Sequence, residues 1–182
     1  MTSLFIHPVQ LEYLPEKYSQ FVEELRAIKL LGEALSKSNE AGFLLGENFF
    51  QLISFMGCAP AFKLEPDDEN DEQFCHIRLS LFSSPQFRYL RPERPARCPS
   101  CRKPGITASE FAHQYESMNG QWPCPACDER HALNKLDWRK EAGLAKFFIE
   151  VRDVYPHEGV PTDHLIHKLK ELTGQEWCWF YA

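Results

Sequence analysis

The chain has 182 residues, 43% hydrophobic and 25% charged, a balance that suits a packed globular domain and excludes a disordered one. A formal net charge of −6 argues against a nucleic-acid or membrane coat over the whole molecule and leaves room for a local basic patch. No stretch reaches the roughly 18 consecutive apolar residues of a membrane helix. Met1 to Gln10 lacks the basic and apolar regions of a secretory signal, so a cytoplasmic protein is expected. Its seven cysteines are then reduced or metal-bound rather than disulfide-paired.

Leu4, Ile6, Val9, Leu11 and Tyr13, broken by Pro8, predict an edge strand over 3–13, because proline cannot donate to a central ladder. Pro15 suits a first helical turn. Tyr18, Phe21, Leu25, Ile28 and Leu35 then predict one amphipathic helix over 16–38. Residues 47–56 are apolar nearly all round and predict a short buried helix ended by Gly57, with a buried strand as the alternative. Phe62 and Leu64, an acidic loop, and then Cys75, Ile77, Leu79 and Leu81 predict a hairpin with one wet face. Prolines 85, 92, 95, 99 and 104 predict irregular structure from Ser83 to Pro104. Phe147, Ile149 and Val151 alternate with Lys146, Glu150 and Arg152 and predict another strand. Thr162 is the expected N-cap of a helix carrying Leu165, Leu169 and Leu172, and Gly174 its end. Trp177 to Tyr181 is apolar on both faces, which predicts a central strand. The strand–helix–strand order at this end allows two parallel strands side by side.

These elements give an α+β fold: a mixed or antiparallel sheet backed by helices, with an inserted metal module. Residues 1–94 and 141–182 are assigned to the core domain and 95–140 to the insertion. No internal repeat stands out.

The chemistry lies in two matched turns, Cys98-Pro99-Ser100-Cys101 and Cys124-Pro125-Ala126-Cys127, with 22 residues between them. Two C-x-x-C pairs supply the four thiolates of a tetrahedral metal. Each pair wraps half of the coordination sphere. The two turns resemble the knuckles of zinc ribbons and rubredoxin-like folds over residues 95–131. The resemblance implies Cys98, Cys101, Cys124 and Cys127 as ligands of one structural Zn2+, with iron as the competing metal and a redox thiol pair as a further reading. Such knuckles often carry glycine after the second cysteine, whereas this chain has Arg102 and Asp128, so less regular turns are expected. Gly105 comes three residues late. His131 could replace a cysteine, but a solvent-facing or capping role is expected of it.

Arg88, Arg91, Arg94, Arg97, Arg102 and Lys103 form a basic stretch beside the knuckles, broken by Glu93 alone. With Phe87, Tyr89 and Trp122 nearby it could grip phosphates and stack bases. The competing reading is that the arginines offset the charge of a tetrathiolate and donate to its sulfurs. Glu65, Asp67, Asp68, Glu69, Asp71 and Glu72 lack the order and the glycine of a calcium loop and read as a solvated hairpin tip. His157, His164 and His167 read as exposed polar surface, as does His76. Cys58, Cys75 and Cys178 read as small buried apolar residues, and Trp177, Trp179 and Tyr181 as core. No catalytic motif appears. The expectation is a non-enzymatic zinc protein acting as a protein–protein interaction or regulatory module. The alternatives are a nucleic-acid-binding accessory factor, and an enzyme whose site the sequence does not disclose.

Overall fold

The computed structural model describes residues 2–35, 41–55, 63–67 and 73–182. Chain order is β1 (Ser3–Pro8), α1 (Tyr18–Ala27), β2 (Leu31–Ala34), β3 (Ala41–Leu45), α2 (Phe49–Leu52), β4 (Ile53–Phe55) and β5 (Ile77–Tyr89). Next come β6 (Pro95–Arg97), β7 (Pro104–Thr107), α3 (Ala108–Gln114), β8 (Gln121–Pro123) and β9 (Arg130–Ala132), then β10 (Ala142–Arg152), β11 (Gly159–Pro161), α4 (Asp163–Thr173) and β12 (Trp177–Tyr181). Six strands form one sheet in the order β12-β1-β10-β5-β3-β2, and every adjacent pair is antiparallel. The α+β class holds, with the antiparallel alternative. β10 and β12 do run in the same direction, but β1 lies between them, so the expected parallel pair does not form.

Centre and edge are exchanged relative to the sequence reading. β1 is an inner strand. Pro8 is its last residue, past the register with β10, which ends at Ile6, so no inner ladder bond is lost. β12 is an edge strand, and its apolar residues are covered from both sides. Trp177 and Tyr181 join the core under the helices, while Phe180 joins the opposite layer.

The predicted 16–38 helix is shorter. α1 ends at Ala27, Lys29 takes a left-handed φ of 60°, and the chain turns back as β2. The helical spacing from Tyr18 to Ile28 is real, and Leu35 falls in register by coincidence. Residues 49–55 split into α2 and β4, so each reading of that stretch holds for part of it. Gly57 and Phe62 lie outside the described residues. Cys75 donates its backbone N–H to the Lys63 carbonyl (2.7 Å), but from Ile77 onward the chain pairs with β10 and β3 instead.

β5 also overturns the irregular structure predicted from Ser83. It continues to Tyr89 through Pro85, because the ladder with β10 breaks between Leu81↔Phe147 and Gln86↔Ala145. Four residues of β5 bulge out against one of β10, and the proline sits where no ladder N–H is required. Thr162 caps α4 by accepting from Leu165 N–H, and Gly174 ends it in the left-handed region, as predicted.

Helices α1 and α4 cover one sheet face, where Leu4, Ile6, Phe21, Leu25, Ile77, Phe147, Ile149, Leu165 and Leu169 pack together. On the other face Phe5 stacks on Phe180 (5.2 Å between centroids) and meets Phe148 edge-on (5.6 Å). A third cluster includes Ala96, Phe111, Trp122, Leu133, Leu136 and Trp138 and continues into Ala142 and Leu144 of β10. The cysteine segment therefore has apolar material of its own and leans on the first half of β10.

Candidate metal centre

The two knuckles are the tips of two equivalent hairpins. β6 and β7 flank Cys98–Cys101, with Arg97 opposite Pro104. β8 and β9 flank Cys124–Cys127, with Pro123 opposite Arg130. The backbone bonds repeat position for position. Arg102 N–H donates to the Cys98 carbonyl (3.0 Å) and Asp128 N–H to the Cys124 carbonyl (2.9 Å). Cys98 N–H donates to the Lys103 carbonyl (3.0 Å) and Cys124 N–H to the Glu129 carbonyl (2.8 Å).

Arg102 (φ 62°) and Asp128 (φ 58°) both adopt the left-handed conformation usually left to glycine. The turns are thus regular despite the side chains, and the expected irregularity is absent. Gly105 serves a different purpose: a Cβ there would lie 2.5 Å from the Trp122 ring, so its absence lets the indole pack against β7.

The hairpins bring all four sulfurs within 4.8 Å of one another. Cys98 and Cys127 are 3.8 Å apart and Cys101 and Cys124 3.7 Å. Zinc–sulfur bonds of about 2.3 Å in a tetrahedron put sulfurs roughly 3.8 Å apart, whereas a disulfide needs about 2.05 Å. Cys98 and Cys124 are buried, and Cys101 and Cys127 half-buried. Burial opposes ionisation of Cys98, but backbone N–H groups of Cys101 and Ser100, with the neighbouring thiols, bring it down to about 6. At Cys127 the Glu129 backbone pulls the thiol down, yet burial and the three other sulfurs push it up to about 12. The neighbouring sulfurs thus favour the thiolate at Cys98 and oppose it at Cys127, a conflict that a divalent cation resolves.

His131 is not solvent-facing. It stands opposite Trp122 on β9, and its Nε2 lies 3.2 Å from Cys98 Sγ. An N–H there would donate to the sulfur and hold it in place. Ala126 N–H donates to Cys124 Sγ (3.4 Å), and Ser100 Oγ donates to Glu129 Oε2 (2.5 Å), joining one knuckle to the other.

The basic stretch divides. Arg94 and Arg91 approach the buried Glu141 carboxylate at 3.2 and 3.9 Å, and Arg102 pairs with Asp137 (2.9 Å). These groups therefore engage carboxylates around the module rather than the sulfurs. Arg88 lies 5.6 Å over the Phe82 ring. Arg97 and Lys103 expose their side chains.

Sequence reasoning missed α3 between the hairpins, although Thr107 and Glu110 are three apart and form a complete capping box. This helix places Phe111 against Phe87 (4.6 Å) and Trp138 (5.3 Å). His76 is buried rather than exposed, with its ring on Phe74 and Nδ1 2.9 Å from the Phe74 carbonyl. Among the described residues, the four cysteines are the one group of three or more candidate ligands. His157 packs on Tyr181, and His167 meets Glu171 on the exposed side of α4. Cys58 and Asp68 to Glu72 lie outside the described residues. Burial pushes the Cys75 thiol up to about 12. Cys178 is half-buried and faces His7 Nε2 at 3.2 Å. No helix among the described residues is long and apolar enough to cross a membrane.

Compared with protein-family models, curated proteins and solved structures, the chain matches none.

Proposed function

We propose that this chain is a zinc protein in which Cys98, Cys101, Cys124 and Cys127 hold one structural Zn2+, and that the segment 95–140 acts as a module for binding another protein. The sulfur spacing carries the metal reading, since both short distances fit the edge of a zinc tetrahedron. Four thiolates leave no open position for water or substrate, so the ion's part is to cross-link the two hairpins. Iron fits the same ligand geometry, and visible absorption separates the two metals.

The binding role rests on what the cross-link presents. α3 and both hairpins are held against β10, and the arginines at Glu141 and Asp137 stiffen the junction. Nucleic acid is the second reading, favoured by the exposed side chains of Arg88, Arg97 and Lys103.

The test is metal analysis of purified protein beside a Cys98→Ser, Cys124→Ser variant, followed by partner capture with both. One zinc per chain is expected in the wild type and none in the variant, with capture lost. Equal zinc in the two proteins would sink the metal assignment. A partner retained by the zinc-free variant would sink the module's role in binding.

A further inference from the structure

The first and last strands bring a thiol and an imidazole together, apart from the knuckle cysteines. His7 of β1 and Cys178 of β12 are directly opposite in the ladder. Their side chains are therefore neighbours on one sheet face, the face turned away from α1 and α4. Cys178 Sγ lies 3.2 Å from His7 Nε2. The other ring nitrogen, Nδ1, lies 2.9 Å from the Pro8 carbonyl. A carbonyl only accepts, so Nδ1 carries the proton and Nε2 turns its lone pair to the thiol. Phe148 and Phe180 pack on the ring, at 5.7 and 5.4 Å between centroids. A Cβ on Gly143 of β10 would lie 2.9 Å from Nε2, so a glycine there leaves that nitrogen its room.

Both groups line a cleft of about 360 Å³ between β1, β12 and the segment 133–140, within the roughly 300–1,000 Å³ of small-molecule sites. Asn134 fastens that segment by donating to the Val9 carbonyl (2.9 Å), and the Lys140 carbonyl accepts from Tyr181 N–H (2.9 Å). The walls are apolar at Val9, Leu136, Trp138, Leu144 and Trp179. Besides the pair, the ionisable lining residues are Lys135, Asp137, Arg139 and Lys140. Lys140 Nζ stands 4.2 Å over the Trp179 ring. Burial pushes the Cys178 thiol up to about 11, against the opposing charges of Lys140 and Lys135, and holds His7 down to about 4. At neutral pH the pair is thus an intact thiol beside an unprotonated imidazole. A serine–histidine pair rests in the same state, and its proton leaves only as the nucleophile attacks.

We infer that Cys178 is a nucleophile with His7 as its base, oriented by the Pro8 carbonyl, and that the cleft takes a short acyl group presented as a thioester. Sγ attacks the carbonyl carbon and passes its proton to Nε2. A new C–S bond forms, the donor's C–S bond breaks, and the departing thiolate takes the proton back from Nε2. The acyl group ends on Cys178, and no oxidant or reductant takes part. One thiol replaces another, so proton transfer is the chemistry the protein has to supply, and the apolar walls suit the acyl chain. The inference does not depend on the zinc reading.

Incubating the purified protein with the acetyl thioester of N-acetylcysteamine, and locating acetyl groups by peptide mass spectrometry, tests it. Cys178 should be acetylated at a rate that changes less than about threefold between pH 6 and pH 9, because His7 stays unprotonated throughout. A thiol attacking without a base would instead gain about tenfold per pH unit, as its thiolate fraction does. His7→Asn should slow acetylation about 100-fold, with circular dichroism verifying its fold. If that variant does not fold, the wild-type pH profile decides alone. Absence of acetyl groups on Cys178 at millimolar thioester would overturn the inference. A rate climbing tenfold per pH unit, or a folded His7→Asn acetylated as fast as wild type, would overturn it too.

Discussion

Asp128 and Arg102 hold the knuckles' left-handed steps without glycine's freedom. A left-handed residue with a Cβ costs roughly 1–2 kcal/mol, less for aspartate. Asp128→Gly should therefore leave metal binding intact and raise stability by up to about 1 kcal/mol, read by urea unfolding. A β-branched Asp128→Val should lower it and weaken metal retention. A destabilised glycine variant would show that the aspartate side chain matters more than the turn. His7 is a second test at this scale. Burial, against the opposing Pro8 carbonyl bond, holds its imidazole down to about 4, from 6.5 in the unfolded chain. Between those values the unfolded chain takes up a proton that folded His7 refuses, so its contribution is full above pH 6.5 and declines as pH falls. The stability advantage of wild type over His7→Asn should shrink by about 2 kcal/mol between pH 7 and pH 5. Loss of metal in acid affects both proteins and cancels in the difference. An advantage that does not change with pH would mean that His7 titrates normally when folded.

Among the elements, local signals were the legible ones. The C-x-x-C spacing, the Thr162 cap and Gly174 each depend on a few neighbouring residues, and each is where the sequence placed it. What failed depends on distant partners. His76 alternates as an outward residue, yet Phe74 and the adjoining strands bury it. Strand β5 looked broken because Pro85 was read without the bulge that accommodates it. Helix α3 was legible in its capping box and was overlooked among the prolines and cysteines around it. Its weight is testable. Phe111 is fully buried between Phe87 and Trp138, so Phe111→Ala should cost about 3–5 kcal/mol. Thermal unfolding of zinc-loaded protein would measure this. A change under 1 kcal/mol would mean that the metal alone holds the segment.

In the whole molecule, the sheet is the support of the candidate metal centre. Its helix-covered face is an apolar core, and its opposite face carries the smaller cluster of Phe5, Phe148 and Phe180. The first half of β10 and the end of β5 receive the cysteine segment. These two strands pair directly with each other, and β10 pairs in turn with β1. Yet β1 is bonded on one side to β10 and on the other to β12, the last two strands of that sheet in chain order. Such pairings are distant in sequence and slow to close. During synthesis the strand made first must wait, unpaired and rich in Leu4, Phe5 and Ile6, until its neighbours on both sides have been made. The two cysteine hairpins need only nearby residues and can form while that strand is still waiting. The order of assembly is thus reversed from the order of synthesis: the middle of the chain can settle before its beginning.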